Sequence, residues 1–343
     1  MPDVVILGAG AMGSATAWWL ARRGRDVVLV EQFEQGHVNG SSHGSSRIFR
    51  LAYYDPAYVR KAQEALPLWR ELEADTGRTL LDTTGGIDHG DPRSVDAVTS
   101  ALRTSGAAHE VIPMEAAAER WPGMRFEGDV LFHPDGGRCH ADDAVRAPQD
   151  RAAALGADVR FGTGPARLRA TSQGVDVDAA GETISAPVAV VTAGAWVRGV
   201  VGETLAPDVK VTQEQIQHFA PRVDGEWPSF IHHRQPWVYG LLAPDEGVKV
   251  AEHHVGPVVD PDRRPPRDTA AEAAVVHYVE HWFPGLDPMP VHVAECLYTT
   301  TPDESFVVER RGPLVIGSPC SGHGFKFTPL IGRRLADLAC PPR

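Results

Sequence analysis

The chain opens with Val4-Val5-Ile6-Leu7 and turns at once into Gly8-Ala9-Gly10-Ala11-Met12-Gly13. An unbroken apolar run of this length suits a parallel strand buried on both faces. Beyond the glycines, Ser14 to Arg23 has helical spacing, with Ala15, Trp18, Trp19 and Leu20 as apolar positions. Gly24 ends that helix, and Val27 to Val30 reads as a second strand that closes on Glu31. In this strand–turn–helix–strand setting each glycine has a task. Gly8 permits the tight turn, Gly10 lets the backbone approach a pyrophosphate, and Gly13 lets helix and strand pack closely. The helix N-terminus, with Met12 in its first turn, offers N–H groups and partial positive charge to phosphates. Glu31 lies 23 residues after Gly8, where a carboxylate accepts the ribose hydroxyls. An acid there disfavours a 2′-phosphate, so FAD or NAD is expected rather than NADP. The motif does not separate those two, and its glycines also fit a plain βαβ turn.

The rest of the composition narrows the field by exclusion. At roughly 100–200 residues per domain, 343 residues predict two lobes. With 33 basic against 45 acidic residues, the net charge of −12 makes a nucleic-acid partner unexpected. Cys139, Cys296, Cys320 and Cys340 are too few and too scattered for a disulfide framework, and no metal-ligand cluster appears. No apolar run nears the ~18 residues of a membrane span, and the first strand leaves no room for a signal peptide. A soluble cytoplasmic enzyme is the expectation. Only four of the basic residues are lysines: Lys61, Lys210, Lys249 and Lys326.

The next informative stretch is Asn39-Gly40-Ser41-Ser42-His43-Gly44-Ser45-Ser46-Arg47-Ile48-Phe49-Arg50-Leu51-Ala52-Tyr53. Small polar residues followed by two arginines three apart suit a segment lying against an electron-rich ring or a carboxylate. They also suit a surface loop with solvated arginines. Further along come Gly247-Val248-Lys249-Val250, then Ala294-Glu295-Cys296-Leu297-Tyr298-Thr299-Thr300-Thr301, then Ser321-Gly322-His323-Gly324-Phe325-Lys326-Phe327. In order and approximate spacing, these four segments resemble the monomeric sarcosine oxidase and N-methyltryptophan oxidase family of FAD-dependent amine oxidases. The likeness spans essentially the whole chain and is diffuse between about residues 85 and 240.

The resemblance implies FAD as cofactor, O₂ as electron acceptor with H₂O₂ formed, and a monomer. It implies that Cys296 is bound through sulfur to the flavin, a reaction that needs a thiolate and hence nearby positive charge. Taken without the resemblance, Cys296 is equally a buried and idle thiol. Lys249 sits in a short alternating strand, where lysine is usually exposed; the resemblance puts it over the flavin, where a fixed ammonium promotes electron transfer to O₂. Arg50 and Lys326, more than 270 residues apart, become the clamp for a substrate carboxylate. Arg47 is placed against the flavin, as are Ser41, Ser42, Gly322 and Gly324. His43 and His323 are placed near the ring, as catalytic or merely structural histidines. Tyr53, Tyr239 and Tyr298 are candidates for the pocket wall, and each could equally be core. His253, His254 and Glu252 receive no role, because Glu252 departs from the family pattern.

The architecture implied is α/β, a Rossmann-like FAD lobe with a second, mostly antiparallel lobe. Residues 1–85, 140–205 and 295–343 are assigned to the first and 86–139 and 206–294 to the second. Helices are expected over Ala57–Thr76, kinked or split at Pro67, and over Arg138–Leu155. The expected reaction is oxidation of a secondary-amine amino acid of the sarcosine or N-methyl type to an imine. A cyclic imino acid oxidase, an NAD-dependent dehydrogenase and a non-catalytic flavin-binding module are the rivals.

Overall fold

The computed structural model describes residues 1–341; the last two residues of the 295–343 segment lie outside the described residues. Strand Val4–Leu7 lies inside a six-stranded sheet with the order Val307–Arg311, Leu314–Ser318, Val188–Val191, Val4–Leu7, Val27–Val30, Asp158–Arg160. Every pairing is parallel except the one at the Val307–Arg311 edge. Val4, Ile6, Leu29 and Val190 enter one apolar core, while Val5, Leu7, Val30 and Val191 enter another. Both faces are covered, which is why these strands read as continuous apolar runs. Helices Ala11–Arg22, Ala141–Ala154 and Thr328–Ala339 cover one face. A three-stranded antiparallel sheet, Arg167–Thr171, Gly174–Ala179 and Glu182–Ala186, covers the other.

The glycine turn packs without slack. Gly8 has φ +99°, and a Cβ on Gly13 would lie 1.9 Å from the Gly8 carbonyl oxygen. Backbone cannot move aside as a flexible side chain does, so Gly13→Ala is expected to cost about 1–3 kcal/mol, as overpacked cores do. A lowered thermal midpoint and weakened FAD retention would show it; an unchanged midpoint would contradict this packing.

The second sheet has eight strands in the order Leu286–Thr300, Lys210–Pro221, Gly247–Glu252, Val238–Ala243, Ser229–His233, Gly86–Gly90, Val130–His133, Glu110–Ile112. It is antiparallel throughout except for the parallel pair Ser229–His233 with Gly86–Gly90. Helix Thr269–Trp282 lies on it, burying Val275, Tyr278 and Val279, with the Asp268 side chain capping its N-terminus. Between the two large sheets, a small one pairs Ser46–Phe49 and Leu81–Asp82 with Gly137–His140.

Two local expectations are corrected. Helix Pro56–Thr76 runs unbroken through Pro67, because Ala65, Leu68, Trp69 and Leu72 around it are buried in the core. Residues 138–140 are strand rather than helix: pairing of Arg47 with Cys139 and Leu81 with Cys139 claims them, and the helix starts at Ala141. The polar threonine run after Cys296 is also strand, since Leu286–Thr300 continues through it with Cys296 to Thr300 buried.

Candidate active site

A cavity of about 930 Å³ runs from the glycine turn to the face of the eight-stranded sheet. At its nucleotide end lie Gly8, Gly10, Met12 and Glu31. Glu31 is buried, and its two oxygens are aimed by the Ala9 N–H (2.8 Å) and the Phe33 N–H (3.1 Å). Ser42 Oγ accepts from the Ala11 N–H at 3.2 Å, which ties the 39–46 loop to the helix start. Ser41 Oγ donates to the Leu297 carbonyl at 2.6 Å. Gly10 caps the helix with no side chain of its own, which leaves room for an anion at the N-terminus. Gly13 stands behind this wall rather than in it. Gln149, invisible in the sequence pattern, holds the Ala9 carbonyl at 2.7 Å and Ser14 Oγ at 3.1 Å.

Farther along, Arg47 is clamped by its own loop, donating to the carbonyls of Ser46 (2.8 Å), Ser41 (2.9 Å) and His43 (2.7 Å). Lys249 is buried rather than exposed, and its Nζ donates to the Ser46 carbonyl at 2.9 Å. Burial first, then Arg47, brings its pKa down to about 7. Cys296 is buried beside them; burial pushes its thiol up, while Arg47 and Lys249 pull it back. His43, held at about 4 by burial and Arg47, is neutral at pH 7, and its Nε2 is buried without a partner.

The third part of the cavity carries Arg50, His323, Lys326, Tyr239 and Tyr298, with Gly322 and Gly324 in the loop beneath. Arg50 lies 4.3 Å and Lys326 Nζ 5.6 Å from the centroid of the Tyr53 ring, so both cations neighbour one aromatic ring. Lys326 is buried, donates to the His323 carbonyl at 2.7 Å, and is pushed well below the usual lysine range by burial and by Arg50. Tyr53 itself is outside the cavity lining and belongs to the core, the second of its two sequence readings. It stacks on Tyr58 at 5.3 Å, and its hydroxyl meets His323 Nδ1 at 3.3 Å. With His323 Nε2 at 3.2 Å from the Glu304 carbonyl, both nitrogens of that ring are engaged. Burial depresses His323 to about 3, so it is a neutral bracing group.

The Tyr298 hydroxyl lies between the Tyr239 hydroxyl (3.2 Å) and His253 Nδ1 (3.4 Å). His253 and Trp237, their rings nearly parallel at 6.1 Å, complete the wall with Ile231 and Leu241. His254 and Glu252 stand outside it.

Three likenesses bear on this site. The model of the FAD dependent oxidoreductase family matches residues 3–338. The chain belongs to the FAD-dependent oxidoreductases. Among its curated relatives, a probable sarcosine oxidase of Arabidopsis thaliana is 32% identical over 98% of this chain and 88% of its own length. A monomeric sarcosine oxidase of Streptomyces avermitilis is 32% identical over 98% of this chain and 93% of its own. Among solved structures, NikD, described as an unusual amino acid oxidase essential for nikkomycin biosynthesis, superposes with a TM-score of 0.89 at 27% identity. That match covers 99% of this chain and 94% of NikD.

The residues fit the family's cofactor. FAD offers a pyrophosphate for the Gly8–Met12 turn, ribose hydroxyls for Glu31, and an electron-rich ring for the end lined by Arg47, Lys249 and Cys296. The buried and unpartnered His43 Nε2 and Ser318 Oγ face the same cavity and have polar capacity to spare.

Proposed function

We propose that this FAD-dependent oxidoreductase oxidises an amino acid with a secondary amine, of the sarcosine or N-methyl type, and passes the electrons to O₂. One observation carries the reading: Arg47, Arg50, Lys249 and Lys326 all border the cavity, and their hydrogen-bond partners are backbone carbonyls. Four cations so held leave their charge for an anion that enters. In the division proposed here, residues 1–85, 140–205 and 295–343 hold FAD, and 86–139 with 206–294 form the amine side.

The geometry supports the following roles. Arg50 and Lys326 hold the carboxylate, with Tyr53 keeping the two cations in register and His323 braced behind them. Charge-assisted bonds of this kind are the strong ones. The same positive surroundings disfavour an ammonium, so the bound amine loses its proton and presents a lone pair and an adjacent C–H. Tyr239 and Tyr298, whose hydroxyls burial keeps protonated, border the space left for the side chain. Bound FAD supplies the two-electron acceptor. Lys249 and Arg47 offer fixed positive charge where electrons arrive and where O₂ takes them up.

Cys296 is the proposed covalent anchor. Acid-denatured wild type passed through a filter should keep its yellow colour with the chain, and Cys296→Ala should release or fail to retain it. Because burial raises the thiol, attachment after mixing apoprotein with FAD should speed up as pH rises from about 7 towards 9, where more thiolate forms. Colour in the filtrate from fully loaded wild type would overturn the covalent link.

A cyclic imino acid is the second reading. Ile231, Trp237 and Leu241 give the wall an apolar face suited to a ring. A screen of N-methyl and cyclic amino acids separates the two.

A further inference from the structure

His218 is only 3% exposed, yet both of its ring nitrogens lack a hydrogen-bond partner. It lies on strand Lys210–Pro221 opposite Lys249 in the antiparallel register. Its Nε2 is 3.3 Å from Glu246 Oε2, out of line for a hydrogen bond. Glu246 occupies the turn before strand Gly247–Glu252, and its side chain is 37% exposed. The same carboxylate oxygen accepts from Ser45 Oγ at 2.6 Å, and the carbonyl of the next residue, Ser46, accepts from Lys249 Nζ at 2.9 Å. A solvent-touching acid is thus tied to a buried ammonium by two short routes, one through the Ser45–Ser46 backbone and one past the imidazole.

The charges around Lys249 make that acid consequential. Arg47 opposes an ammonium there, whereas Glu246, Asp142 and, as thiolate, Cys296 favour it; His43 and His218, each held at about 4, are neutral where Lys249 titrates. Asp142 is engaged elsewhere, its Oδ1 accepting from the Gly44 N–H at 2.8 Å, and burial raises its own pKa. His292, its ring tilted by 37° against that of His218 at 5.4 Å, adds no negative charge.

We propose that Glu246 is a positioning residue for Lys249: anchored by Ser45 and seated against His218, its carboxylate secures the positive charge at Lys249 Nζ. This rests on the reading of Lys249 given above. Without Glu246 the ammonium would share its surroundings with Arg47 and lose its proton at lower pH.

The test exploits the four lysines of the chain. Holoenzyme labelled with [13Cε]lysine gives four resonances, and the one missing in Lys249→Met is that of Lys249. In Glu246→Gln its titration midpoint should fall by about one pH unit, the lower end of the effect of a nearby opposite charge. Glu246→Asp should restore most of the shift. The pH at which O₂ reoxidation declines should move down by the same amount, while amine-driven reduction keeps its rate. Ser45→Ala, which frees the carboxylate without removing it, should give a smaller shift of the same sign and serves if Glu246→Gln fails to fold. An unmoved Lys249 midpoint in either folded variant would overturn the proposal. Unaltered reoxidation in Lys249→Met would instead sink the reading of Lys249 and leave the titration result standing.

Discussion

Arg50→Ala and Lys326→Ala should each weaken binding of a carboxylate-bearing amine roughly 10- to 150-fold, since a charge-assisted hydrogen bond contributes about 1.5–3 kcal/mol. The two side chains come from opposite ends of the chain to lie 4.3 and 5.6 Å from the centroid of the Tyr53 ring. The same amine without its carboxylate should bind the variants about as well as it binds wild type. Anaerobic titration, following flavin absorbance, gives the dissociation constants. A loss of equal size for amines with and without the carboxylate would mean that the substitutions damage the pocket rather than remove a clamp.

The larger effect is expected at Lys249. In Lys249→Met the ammonium that donates to the Ser46 carbonyl is gone, and reoxidation of the reduced enzyme by O₂ should slow by about a thousandfold, which corresponds to some 4 kcal/mol of barrier. Amine-driven reduction should change much less. The sign of the pH dependence follows from the site. Burial and Arg47 depress Lys249 to about 7, so the ammonium is present below that pH and is lost above it. Wild-type reoxidation should therefore decline as pH rises through about 7, and Lys249→Met should lack that decline. Stopped-flow mixing of reduced enzyme with O₂ across pH 6–9 reads both quantities. A variant as fast as wild type would return Lys249 to a structural role.

Much of this was legible in the sequence, for reasons that differ by residue. Leu7 to Glu31 is local: turn, helix and strand follow one another in sequence. Gly13 shows it best, since the carbonyl 1.9 Å from its absent Cβ belongs to Gly8, five residues away. The clamp was legible only through resemblance, because nothing local brings Arg50 to Lys326. For Tyr53 the residue type left pocket wall and core equally open, and contacts with Tyr58 and His323 put it in the core. Lys249 looks exposed by strand alternation, yet the strands on either side and the Ser46–Phe49 segment close over it.

Other parts of the site carried no signal at all. Gln149 sits mid-helix, and Trp237 follows a short turn between strands. Each acquires its role from a contact made across more than a hundred residues or from the sheet fold itself. Residues 138–140 failed as helix because strand pairing with residues 46–48 overrides a weak local preference. Half of the proposed substrate wall, Ile231, Trp237 and Tyr239, comes from the stretch where the family likeness is most diffuse, so its chemistry is read from the fold rather than from a motif.

The most direct test of the central claim is anaerobic bleaching of wild-type flavin by matched pairs of amines. Each pair should contain one N-methyl or cyclic amino acid and the same amine lacking its carboxylate, at equal concentration. The account predicts that the carboxylate-bearing secondary amine bleaches the flavin, that its primary counterpart does so more slowly, and that the carboxylate-free amine does so only at far higher concentration. Equal bleaching by the carboxylate-free amine would contradict the clamp and, with it, the assignment of an amino-acid substrate.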